Sequence, residues 1–444
     1  MAHDHTSIRL RARTGGKSGP YPLAGLVLSA VFAASVLGGE VRADAIPSQP
    51  GALDGTWLWL LPDGPGDLRP TQSWHATGST PSGDIFVGGM DHATNSALYR
   101  IDTASGRLVR VGDAHAAAEG ARNLQPGETF EKFHTRPTWF DGQVYVATMD
   151  YSKIDDGYLN RRGSHLYAYD PQTTEFSDLS AGQPGGVSVP HLSVITLAGD
   201  PASQVLYQGA VPTGEILRYD VTAKTTTNLG RPPRFNVPYV YFNRFMWVDS
   251  RGRLYFSAGH SPAPVTYDPA VFNHIYVYDP ASGFGERTDW PLQATRAIET
   301  GQCLADGVCL VADDQSRIYR FSDQGPEWSY VGQVVADAEP VWVFDVTADG
   351  QKAYVIASPE EPGAVSSLYE YDLTAKTSRR LCAVADLDPA LQGYDRHTGY
   401  NAWDRQGRFY FVSFPSKRSP LFGKANARVT AVDPVRLKAA LHLD

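Results

Sequence analysis

The sequence predicts an all-β protein, a seven-bladed β-propeller built from four-stranded antiparallel blades. Two features carry this prediction: a short pattern that recurs along the chain, and a composition suited to many short strands. The 444 residues include 42 Gly, 31 Pro, 9 Trp, 23 Tyr and 18 Phe, and strands punctuated by turns are typical of such a composition. Hydrophobic residues at 42% and charged residues at 20% exclude a disordered chain, collagen and a coiled coil.

The recurring pattern is apolar-Tyr-x-aromatic-Asp followed by a turn, and copies are spaced by 43 to 68 residues. Its seven copies are Leu98–Asp102, Leu166–Asp170, Ile216–Asp220, Ile275–Asp279, Ile318–Ser322, Leu368–Asp372 and Val429–Asp433. A second strand precedes each copy: Gly83–Gly88, Gly142–Ala147, Gln204–Gly209, Gly252–Ser257, Gly307–Ala312, Gly350–Ile356 and Gly407–Val412. Flanking segments supply a third and a fourth strand per unit. Because a blade buries its faces only against its neighbours, residues 70–444 are expected to form one domain. A pair of β-sandwiches would not explain seven equivalent copies.

The N-terminus reads as a secretory signal peptide over residues 1–45. A basic stretch from Arg9 to Lys17 precedes an apolar run from Leu23 to Leu37 and the small-x-small sequence Ala43-Asp44-Ala45. The alternative is a membrane anchor, but the run is shorter than the roughly 20 residues that a span needs. We expect a periplasmic or secreted protein with no membrane contact after cleavage.

An N-terminal segment, residues 46–69, precedes the propeller. It contains Trp57 to Leu61, which either adds an edge strand or plugs one end of the ring.

Two of the three cysteines flank an Asp-Gly turn. Cys303 and Cys309 lie on either side of Asp306-Gly307, a hairpin signal, and in an oxidising compartment we expect them to form a disulfide. Two independent buried thiols are the alternative. Cys382 is expected to be buried.

The charge balance bears on the partners. The formal net charge is −9, and without the first 45 residues, which hold five basic and three acidic side chains, 34 basic and 45 acidic residues leave −11. We therefore expect no nucleic acid as a partner, although a local basic pocket for an anionic ligand remains compatible with this charge. We expect a monomer.

Position within the repeat predicts which side chains converge, because the first strand of each blade lines the central channel. Eight residues before the turn glycine, six units carry His75, His134, Arg244, Glu299, Trp342 and Gly399. The third unit is irregular and places either Ile195 or His191 near this position.

A second set of polar residues follows the second strands of the same units. His92, Tyr151 and His260 occupy matching positions, and Arg161, Arg162 and His165 lie in the loop after Tyr151. A lone histidine is more often structural than catalytic, and Arg244 could simply pair with Glu299. The concentration of imidazoles at one repeat position nevertheless indicates a functional channel mouth.

These side chains suit proton abstraction next to a uronate carboxylate. That reaction needs a base, a cation for the carboxylate and an acid for the leaving oxygen. His and Tyr can serve as base or acid, and Arg binds carboxylates in a bidentate manner. The residues therefore predict a polysaccharide lyase that works by β-elimination without a cofactor.

Three stretches, Phe133–Pro137, Arg162–Asp170 and Arg244 followed by Val248–Tyr255, resemble the seven-bladed propeller lyases that cleave glucuronate-containing glycans. Ulvan lyases and rhamnosyl-glucuronate lyases belong to this group. The resemblance implies an anionic polysaccharide or oligosaccharide as partner. Its implied catalytic residues are His134, Tyr151 and Arg244. From their positions around the channel mouth, we expect His75, His92, Arg161, Arg162, His191 and His260 to bind the substrate.

The chain departs from the family pattern at three places. Met149-Asp150-Tyr151 stands where a histidine is expected, Val194 where a tyrosine is expected, and Val211-Pro212 where an arginine or histidine is expected.

Three other functions stay open. A divalent-metal lyase of the oligogalacturonate type would need a ring of ligands such as His75, His134, His191, His397 and Gln302, without H-x-H or HExxH spacing to support it. A glycosidase would draw two carboxylates from Asp91, Asp150 and Glu299. The last is a non-catalytic propeller that binds a ligand or a protein, because the fold alone carries no function.

Overall fold

The computed structural model describes residues 45–66, 68–75, 77–149, 158–235, 243–259, 269–293, 297–324, 327–336, 341–357 and 365–443. They belong to one compact unit that runs from Arg42 to Asp444. Residues 1–44 of the predicted signal peptide lie outside the described part, so secretion stays a prediction. Among the described residues, no helix has the length and apolar character needed to cross a membrane.

Short strands dominate the described chain, in keeping with its aromatic and turn residues. Those of the first half are β1 (Ile46–Pro47), β2 (Gln49–Pro50), β3 (Thr56–Leu60), β4 (Thr77–Ser79), β5 (Ile85–Met90), β6 (Ser96–Asp102), β7 (Arg107–Asp113), β8 (Thr138–Phe140), β9 (Gln143–Ala147), β10 (Gly163–Ser164), β11 (Leu166–Asp170), β12 (Glu175–Asp178), β13 (Val189–Pro190), β14 (Ser193–Asp200), β15 (Val205–Val211), β16 (Ile216–Asp220) and β17 (Thr225–Gly230).

The second half continues with β18 (Trp247–Val248), β19 (Leu254–Ser257), β20 (His274–Asp279), β21 (Gly283–Pro291), β22 (Ile298–Cys303), β23 (Cys309–Asp313), β24 (Arg317–Phe321), β25 (Trp328–Gln333), β26 (Val343–Val346), β27 (Lys352–Ala357), β28 (Ser367–Asp372), β29 (Thr377–Ala383), β30 (Arg396–Tyr400), β31 (Phe409–Phe414) and β32 (Arg428–Val432). Short helices are α1 (Ala114–Gly120), α2 (Pro269–Phe272), α3 (Val384–Leu387) and α4 (Pro434–Ala440). Turns of 3₁₀ helix cover Tyr158–Asn160, Leu179–Gly182, Pro184–Gly186 and Pro389–Leu391.

The described strands form five separate sheets of four or five strands and one of nine. The separate sheets have the orders β1-β7-β6-β5-β4, β12-β11-β9-β8, β14-β15-β16-β17, β18-β19-β20-β21 and β22-β23-β24-β25. The large sheet has the order β2-β3-β32-β31-β30-β26-β27-β28-β29, and β10 pairs with β13 alone. Every copy of the recurring pattern lies in the third strand of its unit, so the repeat is structural.

The β-propeller prediction is confirmed, but the expected seven separate blades are not: five blades stand as separate sheets. The sixth and seventh copies, in β28 and β32, share the nine-stranded sheet because β26 and β30 pair in parallel, Val343 opposite Gly399 and Phe344 opposite Tyr400. Gly399 lets β30 lie close to β31 on its other side, since a Cβ there would meet Phe411 and Tyr410 backbone atoms at 3.0 Å and its φ is +150°.

The N-terminal segment adds β3 and then β2 to the edge of the nine-stranded sheet, which corresponds to the first of its two expected alternatives. β3 pairs antiparallel with β32 from Thr56 opposite Val432 to Leu60 opposite Arg428. The strands within residues 46–60 are therefore paired with the first sheet and with the large sheet, and they link the two.

Aromatic residues of the strands and their flanks pack between neighbouring sheets. In the fourth and fifth units Trp247, Tyr255, Trp290, Tyr319 and Trp328 form a stack with ring centroids 5.1–6.4 Å apart. Stacked aromatics bury large areas at fixed geometry, which joins one sheet to the next.

Three units share a turn device with the spacing Asp-x3-Arg-x-Tyr. Asp249, Asp313 and Asp404 each accept a hydrogen bond from the tyrosine hydroxyl six residues later, at 3.2, 3.2 and 2.8 Å. Each also accepts from the backbone N–H four residues later and pairs with the arginine side chain there. In each of these three units a buried carboxylate therefore connects the turn to the strand that follows it.

Cys303 and Cys309 form a disulfide across the β22–β23 hairpin. Cys382 is a buried free thiol.

Replacing the buried carboxylate of the turn device should destabilise the protein markedly. We expect Asp404→Ala to lower the free energy of unfolding by about 2–4 kcal/mol, because the Tyr410 hydroxyl and the Arg408 guanidinium lose their buried partner. Urea denaturation followed by tryptophan fluorescence measures this.

Asp349→Ala is the matched control, since Asp349 is exposed at the equivalent turn of another unit and its loss should cost no more than about 1 kcal/mol. An equal decrease in the free energy of unfolding in the two variants would contradict a stabilising role for the buried carboxylate of the turn device.

Candidate functional site

The first strands of the units converge on the axis, and the residues just before them meet at one mouth of the channel. His75 precedes β4 and His134 precedes β8; their imidazole rings are stacked with centroids 5.7 Å apart and an interplanar angle of 18°. Both side chains are almost completely buried, at 0% and 4% exposure. The structure therefore brings together two of the predicted site residues.

Tyr400 crosses the axis and narrows the channel. Its hydroxyl donates to the backbone carbonyl of Arg244 at 3.1 Å, a contact between residues 156 apart in sequence. Its ring lies 6.0 Å from that of His75, and the Arg136 guanidinium lies 5.4 Å above it. The axis is thus a packed core beneath the mouth.

Trp342 holds two guanidinium groups at the mouth. The Cζ atoms of Arg244 and Arg396 lie 5.8 and 5.4 Å from its ring centroid, within the range of cation–π attraction. Trp74 packs edge-on against the same indole at 5.1 Å. Trp342, Trp74, Arg244 and Arg396 are all partly exposed, and we call these four residues the indole clamp.

Arg244 also forms an ion pair with Glu299, which is the structural role that the sequence left open. The arginine side chain is 17% exposed and the glutamate 4%. The positive charge of this predicted carboxylate-binding residue is therefore shared with a buried partner on β22.

Burial controls the charge of the paired imidazoles. It lowers the pKa of His75 well below its ordinary value, with Arg244 adding to the effect. It does the same to the pKa of His134, with Lys132 and Arg244 contributing. Both ring nitrogens of His75 and Nδ1 of His134 find no hydrogen-bond partner in the described part of the chain. Both imidazoles are neutral at neutral pH.

His92 lies at the same mouth. Its backbone has a positive φ of 62°, and burial, aided by the nearby Lys132, lowers its pKa to about 3. The charge of Lys417 acts in the same direction, which places that ammonium group close to the mouth as well.

A carboxylic acid is buried below the arginines. Asp345 is fully buried and accepts from the Ala402 amide at 2.8 Å. Burial raises its pKa to about 7, while the amides and Arg136 oppose the shift. This side chain therefore carries only part of a negative charge at neutral pH.

The residues predicted around the loop after β9 form a side wall with partners of their own. His191 is exposed, and its Nδ1 lies 2.7 Å from the Arg161 carbonyl. Arg162 pairs with Glu128 at 2.9 Å and donates to the Asn123 carbonyl at 2.5 Å. The contacts of Arg162 fix this wall, and its predicted role in binding substrate stays a prediction.

His165 anchors the same wall from inside. It is fully buried between Asp178, 2.9 Å from Nδ1, and Glu128, 3.3 Å from Nε2.

Tyr151, Asp150 and His260 lie outside the described residues, so their predicted roles stay untested. Sequence reasoning missed Arg396, Arg136, Tyr400 and Lys417. The first three stand within three residues of the predicted channel positions Gly399 and His134, and extending the count along each inner strand would have found them.

The donor set of the metal alternative does not assemble. The amide of Gln302 is used by the Val346 backbone, donating and accepting at 2.9 Å, and His397 Nδ1 lies 2.8 Å from the Ser413 hydroxyl. Among the described residues, no group of three His, Cys, Asp or Glu side chains is placed to hold a metal ion.

Comparisons with known proteins reveal the fold. No protein-family model and no curated protein matches the chain. A crystal structure of the mitotic checkpoint complex contains a similar chain, with 12% identity, a TM-score of 0.51, and coverage of 96% of this chain and 99% of that one. The β-propeller domain of Cps50 (Swd1) from Myceliophteria thermophila has 10% identity, a TM-score of 0.50, and coverage of 82% and 98%.

The WD40 repeats of RRP9 have 9% identity, a TM-score of 0.52, and coverage of 87% and 99%. At this level of identity the likeness establishes the β-propeller fold alone.

Acid should destabilise the protein through its buried histidines. Burial lowers the pKa of His397 from 6.5 to about 3. Between these values the unfolded chain binds a proton that the folded state does not, so stability falls as the pH falls, by about 1.4 kcal/mol per pH unit for this group. We expect His397→Gln to show a shallower loss of stability below pH 6.5 than the parent, measured by urea denaturation across pH.

The exposed His442 supplies the control: His442→Gln should keep the pH dependence of the parent. If stability of the His397→Gln variant depended on pH as in the parent, the His397 imidazole would not contribute to the loss of stability in acid.

Proposed function

We propose that the protein is a secreted binding propeller that holds an anionic saccharide at the channel mouth without cleaving it. The observation that carries the proposal is the indole clamp, in which Arg244 and Arg396 both lie over the Trp342 ring. Two neighbouring positive charges favour an anion close to them, and a guanidinium binds a carboxylate or sulfate through two hydrogen bonds.

The aromatic side chains favour a sugar as the carrier of that anion. Trp342 and Trp74 present partly exposed apolar surface beside the guanidinium groups. Binding sites usually combine such aromatic surface with a few placed polar groups. A uronate residue has a carboxylate for the arginines and an apolar ring face for an indole.

The protonation states favour binding over cleavage. A general base is most effective when its pKa lies near the working pH, whereas burial lowers the pKa of both His75 and His134 well below the ordinary value.

A uronate lyase is the second candidate. Nδ1 of His134, which has no hydrogen-bond partner among the described residues, lies at the same mouth as Arg244 and favours it. The resemblance of the Phe133–Pro137 stretch to the propeller lyases supports it as well. In that reaction a base takes the proton next to the carboxylate, the new C=C bond forms, and the glycosidic oxygen leaves with a proton from an acid.

Calorimetric titration with oligogalacturonate, alginate, ulvan and gum arabic tests the proposal. We expect one of these glycans to bind, and Arg396→Gln to weaken its affinity by roughly tenfold or more, since a charge-assisted hydrogen bond contributes about 1.5–3 kcal/mol. No ultraviolet absorbance from an unsaturated uronate should develop during the titration.

Arg251→Gln is the matched control. Arg251 is an exposed arginine in the turn between β18 and β19, at the far end of β18 from Arg244, and its replacement should leave the affinity unchanged. An absorbance increase that vanishes in His134→Ala and in Arg244→Ala would replace the proposal with the lyase, and absence of binding to every glycan would favour a protein partner.

A further inference from the structure

We propose that the loop of residues 415–428, here called the basic loop, extends the binding surface and makes the protein prefer long anionic chains to short ones. This inference rests on the proposed function, because it concerns how a glycan held at the indole clamp continues across the protein. It assigns a contact surface that lies outside the clamp.

The basic loop has an unusual composition in an acidic protein. It contains Lys417, Arg418, Lys424 and Arg428 and not one acidic residue, and none occurs from Phe414 to Val432. The whole chain has a formal charge of −9. Concentration of one sign of charge in a short segment produces a local potential opposite to that of the rest of the surface.

The basic loop is fixed next to the indole clamp. Asp395, which directly precedes Arg396, accepts from the Ser416 backbone at 2.6 Å and from its hydroxyl at 2.5 Å. The Ser419 hydroxyl donates to the Gly393 carbonyl at 2.7 Å, and the Tyr394 hydroxyl donates to the Asn426 carbonyl at 3.0 Å.

These four hydrogen bonds tie the loop to Gly393, Tyr394 and Asp395, the three residues before Arg396. The charges of the loop are therefore held at a defined place relative to the clamp. Because the loop is already ordered, the protein loses little conformational entropy when a glycan binds.

The outer side of the basic loop is accessible. Lys417, Arg418 and Lys424 are exposed, and the side chain of Phe422 between them is 36% exposed. Lys417 is near enough to His92 for its charge to lower the pKa of that imidazole. Exposed positive charge consequently continues from the mouth onto the loop, with one large apolar side chain in its middle.

The combination of charged and apolar side chains favours an acidic polysaccharide over nucleic acid. A uronate chain alternates carboxylates with apolar ring faces, which matches guanidinium and ammonium groups separated by Trp342 and Phe422. Double-stranded nucleic acid carries one charge about every 1.7 Å of its axis, and the acidic remainder of the surface opposes so dense a polyanion.

The experiment compares a long oligomer and a trisaccharide prepared from each of the four glycans, oligogalacturonate, alginate, ulvan and gum arabic. We expect the long oligomer to bind more tightly than the trisaccharide. The variant Lys417→Gln/Arg418→Gln should lose about three- to tenfold of its affinity for the long oligomer, as expected for two exposed charges, and keep its affinity for the trisaccharide. Added salt should reduce the difference between parent and variant.

Lys376→Gln/Arg379→Gln is the matched control. It removes the same charge from two exposed residues of the β28–β29 hairpin, and both affinities should stay as in the parent. Unchanged binding of the long oligomer by the loop variant, while Arg396→Gln still weakens binding, would overturn this inference and leave the proposed function in place. Failure of the parent to bind either oligomer would overturn the proposed function itself, and equal binding of single-stranded DNA would replace the polysaccharide with a general polyanion.

Discussion

Closure of the ring is the constraint on which the rest of this structure depends. Each sheet of a propeller has two apolar faces, and only the neighbouring sheets can bury them. Here β3 pairs with β32, and the Trp59 indole N–H donates to the Gly106 carbonyl of the first sheet at 2.9 Å. A few residues before the repeats thus link the last sheet to the first.

Closure also determines the chemistry of the axis. Once the inner strands converge, side chains that would be half-exposed in a single sheet become core residues, as the burial of His75 and His134 shows. Desolvation disfavours the charged imidazole, so the fold sets the protonation state of these residues. The histidines that the sequence predicts for the channel are present, but they are uncharged. The charged groups lie above the axis, at the mouth.

The sequence reveals the repeats because each unit is a local pattern with a fixed order of strand, turn and strand. Copies of that pattern correctly locate the third strands, and counting from the turn glycines correctly brings His75, His134 and Arg244 to one mouth. The parallel contact of β26 with β30 depends on two chain segments far apart in sequence, and no local signal encodes it. For the same reason the partners of Arg162 were missed, since Asn123 and Glu128 are 39 and 34 residues away.

The electrostatics of the mouth follow from how its acids are used. Glu299 is buried against Arg244, Asp395 is bonded to Ser416, and burial raises the pKa of Asp345 to about 7. Each of these carboxyl groups is thereby neutralised, engaged or partly protonated, whereas exposed Lys417 projects an ammonium charge into solvent. Salt screens exposed charges beyond about 10 Å, so the exposed positive charge attracts an anion locally at the mouth, while the acidic remainder of the surface repels it. A protein of net negative charge can in this way direct an anionic ligand to one end of its ring.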